Sequence, residues 1–292
     1  MEIIIREPTH PLPIKYFNQL SRYDSMTDVK FIDETTFVCA NRECGKFYLV
    51  KFSLNPNTVQ ILDSIDAVFD GTLKYVDLMT IHNGLIYFVS LDNTIGILKL
   101  ENNKIKKEKL ITITDTKVHA HSITFHPTIK NVVYLGSALF NPKLVIFDIE
   151  KEKTLQTSVL KGMEGLLLKQ VKFLDENTIV VSGTGGLISQ TNKNQNYNSK
   201  IGVYSANDFS CIDIIELPSS HTDDVCVDEN NIIYLVCQST QKDNILKFKF
   251  ENNKLIKIGS MQLPQFPHGL DIKYGMLAAT SLKNSSVSIL AI

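Results

Sequence analysis

The sequence predicts an all-β fold, a single six-bladed β-propeller, and three observations lead to it. A strand opening recurs six times at steps of 45 to 54 residues, a period typical of propeller blades. The residues before the first opening and after the last together make one more unit of that size. Two turns also match between distant blades. The openings begin at what we call the lead positions, Asp28, Asp77, Ser122, Gln170, Asp224 and Gly269.

Each unit is predicted to form one blade of four antiparallel strands. The runs between turns are rich in β-branched and aromatic residues, and the turns carry residues that tolerate tight bends. In the first blade the predicted strands are 28–32, 36–40, 46–54 and 58–65. The predicted blades are 28–66, 75–113, 121–160, 169–217, 223–263, and 268–292 together with 1–20.

The second and third strands support this register. The second strands are near-continuous apolar runs such as Ile86-Tyr87-Phe88-Val89, as expected for strands buried on both faces between stacked blades. The third strands alternate more between polar and apolar residues. The same four residues, Glu-Asn-Asn-Lys, follow the third strands at 101–104 and 251–254, which fixes matching turns in two blades.

The sequence stops after the third strand of the sixth unit. The fourth strand of that unit should therefore come from the N-terminal segment. The two candidate segments are Glu2 to Arg6 and Ile14 to Phe17. The prolines between them cannot lie in a central strand. Such pairing would close the ring and remove an open sheet edge.

One segment, 183–199, interrupts the repeat with a long run rich in Gly and Asn. Surface loops accept extra length at little cost in free energy, so a tolerated insertion is one interpretation. A flap over the axial opening is the other. The glycines at 183–186 do not predict a nucleotide cofactor, because no helix is predicted to follow them.

The composition limits the binding partners and the cellular location that we expect for this protein. The formal net charge of −1 gives no field that would attract nucleic acid or an anionic membrane. No signal peptide and no membrane-spanning apolar run is predicted. The five cysteines, an odd number without zinc-type spacing, favour reduced thiols and a cytoplasmic location.

Ionisable residues gather at the openings of the first strands, which should ring one mouth of the axial channel. Three hypotheses follow: a divalent metal site, acid–base catalysis by a His beside an Asp, or histidines that fasten blades through hydrogen bonds. The candidate catalytic residues are His121, His268 and Asp223. Lys169, Gln170, Ser122 and His221 are candidates for substrate binding. Asp28, Asp77 and His119 are the candidate metal ligands.

Two short motifs carry resemblances to known propellers. The run Pro-His-Gly-Leu-Asp-Ile at 267–272 resembles the last-blade opening of the SMP-30/gluconolactonase, paraoxonase and strictosidine synthase group. That group implies a pocket at the axial mouth, often with a divalent cation, and action on lactones or esters. Its Glu- and Asn-rich site is replaced here by Asp and His, so no family residue is carried over.

The openings at 119–123 and 221–225 resemble those of WD40 blades, in which the histidine has a structural role; that role would fall to His119 and His221. The chain has no tryptophan, and Phe147-Asp148 stands where those blades end in Trp-Asp.

The leading hypothesis is an enzyme, a hydrolase or a lyase-like proton-transfer catalyst, acting on a small polar molecule at the axial mouth. The alternative is a non-catalytic WD40-like scaffold that binds a protein or peptide. Neither hypothesis involves nucleic acid or a membrane.

Overall fold

Six four-stranded sheets make up the described part of the computed structural model. The described residues are 2–6 (backbone only), 25–42, 44–90, 92–113, 119–137, 143–185, 198–218, 221–237, 243–263, 267–281 and 286–292. The chain divides into two compact units, which we call the first unit (1–110 and 265–292) and the second unit (111–264).

The first unit holds three of the sheets, or blades, in addition to a small hairpin. Strand β1 comprises Glu2–Arg6. The first blade contains β2 (Met26–Asp33), β3 (Thr36–Asn41), β4 (Lys46–Leu54) and β5 (Asn57–Asp66). The hairpin is β6 (Val68–Phe69) and β7 (Thr72–Leu73). The second blade contains β8 (Val76–His82), β9 (Leu85–Ser90), β10 (Thr94–Glu101) and β11 (Lys104–Thr112).

The second unit holds the next three blades in chain order. The third contains β12 (Ala120–Phe125), β13 (Val132–Ser137), β14 (Leu144–Asp148) and β15 (Lys153–Ser158). The fourth contains β16 (Leu167–Asp175), β17 (Thr178–Thr184), β18 (Lys200–Ser205) and β19 (Cys211–Glu216). The fifth contains β20 (Thr222–Val227), β21 (Ile232–Cys237), β22 (Ile245–Glu251) and β23 (Lys254–Met261).

The sixth blade returns to the first unit and uses both ends of the chain. Its strands β24 (Pro267–Lys273), β25 (Met276–Ser281) and β26 (Ser286–Ala291) follow one another. Strand β1 is the fourth strand and pairs with β26 in parallel, unlike the antiparallel pairs predicted. Of the two head segments considered, Glu2–Arg6 is the one that pairs; 14–17 lies outside the described residues. The all-β six-bladed fold class is confirmed.

Apolar side chains fill the space between neighbouring blades of each unit. Phe31, Phe37 and Phe52 pack with Ile289 between the first and sixth blades. Each fully buried Phe contributes roughly 1.5–3 kcal/mol through the hydrophobic effect. Every residue of the second strands β3, β13 and β25 is buried, which confirms the prediction of strands covered on both faces.

The two Glu-Asn-Asn-Lys turns are tight hairpins that also join neighbouring blades. Both asparagines of each turn have positive φ, between 52° and 60°, as a two-residue hairpin turn requires. Asp63 on β5 accepts hydrogen bonds from the Ile105 amide (2.8 Å) and from Lys104 Nζ (3.2 Å) at the first of these turns. The same contacts recur between β19 and β23 at Asp213, Leu255 and Lys254.

The insertion at 183–199 lies largely outside the described residues, because 186–197 are not described. No helix among the described residues is long and apolar enough to cross a membrane.

Candidate functional site

In the first unit, the residue before a lead position accepts a hydrogen bond at its carbonyl oxygen from the preceding blade. Thr27 Oγ1 donates to Val76 O over 3.2 Å. His268 Nδ1 donates to Thr27 O over 2.8 Å, because a carbonyl oxygen can only accept. Thr280 Oγ1 donates to the same oxygen over 3.1 Å. These bonds are buried, so they hold adjacent blades of this unit together.

The second unit repeats this bond. His121 Nδ1 donates to Lys169 O over 3.0 Å, from the third blade to the fourth. Ser182 Oγ donates to Asp223 O over 2.9 Å, from the fourth blade to the fifth. The sequence resemblance placed a fastening role on histidines three residues before a lead position. The structure gives that bond to the two histidines directly before one.

Four of the predicted site residues form a continuous polar chain in the second unit. Lys169 Nζ lies 2.9 Å from His121 Nε2 and 3.5 Å from Asp223 Oδ1. His221 Nε2 lies 3.4 Å from the same carboxylate oxygen. The side chains of Asp223 and Lys169 are 0% and 6% exposed, whereas that of His221 is 26% exposed. His221 is therefore the member of the chain that reaches solvent.

The hydrogen-bond partners fix the charge state of His121. Its Nδ1 carries a hydrogen for the Lys169 carbonyl, and its Nε2 accepts from the Lys169 ammonium. The imidazole is therefore neutral, with its hydrogen on Nδ1. The positive charge of Lys169 is balanced by the Asp223 carboxylate.

Two further candidates for substrate binding use their polar atoms within the framework. Gln170 Nε2 donates to Asp224 Oδ1 over 2.8 Å, and its Oε1 accepts from the Val171 amide over 2.9 Å. Ser122 Oγ accepts from the Gly136 amide over 3.3 Å. Gln170 thus links the fourth and fifth blades through their lead positions.

The candidate metal ligand Asp28 is fully buried and accepts three hydrogen bonds. Its Oδ1 accepts from the Val29 amide (2.8 Å) and from Lys30 Nζ (2.6 Å). Its Oδ2 accepts from the Met79 amide of the second blade (2.7 Å). A cation of the protein itself, Lys30, therefore lies against this carboxylate.

The second candidate carboxylate, Asp77, is also buried and pairs with a cation of the chain. Arg42 Nη2 lies 2.9 Å from Asp77 Oδ1, with the Arg42 side chain 28% exposed. His119, the third candidate, is half-buried just before β12. Within the described ranges, no three His, Cys, Asp or Glu side chains are grouped so that they could hold a metal ion. The metal hypothesis gains no support there.

Three charged residues of this polar framework were not among the predicted site residues. Lys30 Nζ donates to Leu270 O over 2.7 Å, and Asp271 Oδ2 accepts from the Phe31 amide over 2.7 Å. Both lie two residues after a lead position, and alternate residues of a strand share a face. Charged residues at that spacing in an apolar strand could therefore have been recognised from the sequence as members of the polar framework. The third is Arg42, which lies in a turn and follows no comparable pattern in the sequence.

Three of the five cysteines, Cys39, Cys226 and Cys237, are buried. Cys44 and Cys211 are partly buried. Burial raises the pKa of Cys237 to about 12, and burial likewise raises the pKa of Cys39 far above its usual value. Since the thiolate is the nucleophilic form, neither thiol is activated for chemistry near neutral pH.

Comparison with known proteins gives architecture only. No protein-family model matches the chain, and no curated protein matches it in sequence. Among solved structures, the WD40 β-propeller domain of Doa1 is 12% identical with a TM-score of 0.59, over 91% of this chain and 92% of that domain. The chain has the β-propeller fold.

Two other propellers with different descriptions are also similar in fold. The β-propeller domain of Cps50 (Swd1) from Myceliophteria thermophila is 12% identical with a TM-score of 0.60, over 94% of this chain and 84% of that one. A candidate 6-phosphogluconolactonase from Bacteroides uniformis is 11% identical with a TM-score of 0.56, over 80% and 70%. Likeness at such low identity establishes a fold and not an activity.

Proposed function

We propose that this protein is an enzyme, a hydrolase or a lyase-like proton-transfer catalyst, in which His221 and Asp223 act on a small polar molecule. The observation that supports this is the position of the buried Asp223 carboxylate between Lys169 and the partly exposed His221. A carboxylate close to an imidazole at the edge of solvent is the starting arrangement for general acid–base catalysis; the 3.4 Å contact would shorten to a hydrogen bond when a substrate binds.

His221 is a better candidate for the base than His121 or His268. Those two are about 1% exposed and donate Nδ1–H to the framework. His121 also accepts from Lys169. His221 combines partial exposure with a carboxylate 3.4 Å from its Nε2, and imidazole is the side chain commonly used to accept and donate protons in catalysis.

The test is turnover by purified protein of a panel of small esters, lactones and enolisable carbonyl compounds. We expect His221→Gln and Asp223→Asn to lower turnover by about 10²–10⁴-fold, the usual contribution of a positioned acid or base. His82→Gln, at the end of β8 in the first unit, is the matched control and should leave turnover unchanged. Turnover that survives both site substitutions would overturn the proposal.

A non-catalytic scaffold that binds a protein or peptide is the second candidate. The bonds from His121 and His268 to carbonyl oxygens of the next blade favour it, because they give these histidines a purely structural role. In that case Asp223→Asn should lower the melting temperature while no compound of the panel is turned over by the unsubstituted protein.

The metal hypothesis has a separate test. Because Asp28 contacts Lys30 and Asp77 contacts Arg42, we expect zinc, manganese and calcium to leave the melting temperature unchanged, as should chelation. A ligand that binds only the native state raises the melting temperature, so a rise with any one ion, lost in Asp28→Asn, would restore the metal site.

A further inference from the structure

We propose that Lys169 donates a hydrogen bond to the carbonyl oxygen of the bound molecule, so that the site takes a small enolisable aldehyde or ketone. This inference rests on the proposed function, and it names the substrate class of the same polar chain in the second unit.

The hydrogen-bonding capacity of Lys169 is the starting point. An ammonium group has three N–H donors, and the described residues offer Lys169 Nζ two acceptors, His121 Nε2 at 2.9 Å and Asp223 Oδ1 at 3.5 Å. The longer distance exceeds the usual range for an N–H···O hydrogen bond. At least one donor of this ammonium therefore points to neither acceptor.

The other buried lysine of the framework provides the contrast. Lys30 Nζ makes two short bonds, 2.6 Å to Asp28 Oδ1 and 2.7 Å to Leu270 O, and both acceptors are oxygens of the protein. Lys169 has one short bond, and its acceptor is a nitrogen. Because a buried donor without an acceptor is costly, an oxygen from solvent or from a ligand should complete the coordination of Lys169.

The charges of the group restrict the ligand. Asp223 already balances the charge of Lys169, so the site offers a hydrogen-bond donor and no surplus positive charge. A neutral carbonyl oxygen suits such a donor better than a polyanion such as a phosphate. The same Asp223 carboxylate contacts His221, so the oxygen bound by Lys169 would lie beside the candidate base.

The step that this geometry would assist is enolisation. The imidazole of His221 accepts the proton from the carbon next to the carbonyl. The electron pair of the broken C–H bond forms the carbon–carbon double bond, and the carbonyl π pair moves to oxygen. Lys169 stabilises the negative charge that develops there, as preorganised donors do in a site shielded from water. Returning the proton completes the cycle without any other reactant.

The experiment follows the Lys169 side-chain nitrogen by NMR in protein labelled with ¹⁵N-lysine. The probe is dihydroxyacetone, and glycerol is the matched control because it has the same carbon chain and lacks the carbonyl. We expect dihydroxyacetone to shift the Lys169 resonance saturably and glycerol to leave it in place. Lys169→Met assigns the resonance, and Lys172→Met on the same strand should retain the response.

The outcomes separate this inference from the proposed function. A Lys169 resonance that responds equally to both compounds, or to neither, overturns the inference, whatever the turnover of other substrates. A specific response to dihydroxyacetone supports it. If that response occurs while deuterium exchange at the probe's carbons is no faster than in Asp223→Asn, the carbonyl site stands and the catalytic proposal fails. Lys169→Arg, which keeps the charge, serves if Lys169→Met does not fold.

Discussion

Gly269 is the one lead position without a side chain, and the backbone of the first blade explains why. A Cβ atom at Gly269 would lie 2.4 Å from Thr27 O and 2.6 Å from Asp28 Cα. Both are backbone atoms that cannot move without disturbing β2. The close approach also allows the His268 bond to Thr27 O, directly beside this glycine.

We therefore expect Gly269→Ala to lower the free energy of unfolding by about 1–3 kcal/mol, the usual cost of overpacking. Gly259 on β23 is the matched control, because nothing lies within 4 Å of a Cβ built there. Chemical denaturation of the two variants measures the difference. Equal stability of both would mean that the contact between β24 and β2 is not as close as described.

The His268 bond makes a second prediction at the scale of single residues. Asparagine presents an amide N–H near the position of an imidazole Nδ1, so His268→Asn should keep the bond to Thr27 O. His268→Ala removes it and leaves a buried carbonyl with one partner fewer, which costs about 1–3 kcal/mol. Thermal or denaturant unfolding should rank the alanine variant clearly below the asparagine variant; the reverse order would argue against a fastening role.

The hydrogen bonds that Asp63 and Asp213 accept from neighbouring strands make the free energy of unfolding depend on pH. Burial alone raises the pKa of each carboxyl group, but the amide and lysine hydrogen bonds outweigh it, so both pKa values lie below their usual value. A carboxylate with a lowered native pKa stabilises the fold above its unfolded pKa, and that stability is lost as the pH falls through the native value.

The free energy of unfolding should therefore decrease on acidification below about pH 4, the region of the unperturbed aspartate pKa. The double variant Asp63→Asn, Asp213→Asn should show a flatter acid limb than the unsubstituted protein. Asp66→Asn, on the same strand as Asp63 and 59% exposed, is the control. An acid limb unchanged by the double substitution would contradict this coupling.

The strands themselves could be predicted from the sequence because their patterns are long and repeated. The hairpin β6–β7 was not, since two residues per strand are too few to show a period. Its turn, Asp70-Gly71, did carry a recognised hairpin signal, and both residues have positive φ, 50° and 75°. The turn residues could be recognised, but the strands on either side are too short to support the prediction of a hairpin.

The candidate site was predictable as a set of residues but not as a set of bonds. Position along the repeat groups Lys169, His121, Asp223 and His221, and their side chains do lie in contact. Which imidazole nitrogen faces a carbonyl, and which histidine reaches solvent, depends on side-chain direction between blades. The sequence carries no separate signal for those choices, so it could not separate a fastening histidine from a candidate base.

For the whole molecule, the pairing of β1 with β26 carries the clearest prediction. Five residue pairs join Glu2–Arg6 to 286–290. Deletion of residues 1–6 should lower the unfolding midpoint and increase aggregation, because β26 would become an open edge. Deletion of Met1 alone is the control. A truncated chain that melts like the intact one would show that β1 contributes little to the sixth blade.

The first unit is assembled from segments at opposite ends of the chain, and this sets an order on biosynthesis. The ribosome makes 1–110 before the second unit, but the strands β24, β25 and β26 that complete the first unit emerge only after the second unit has been made. The continuous second unit can fold while translation proceeds, as domains commonly do. A nascent chain stalled before residue 265 would therefore display an unfinished half with exposed apolar faces, a substrate for chaperones and proteases.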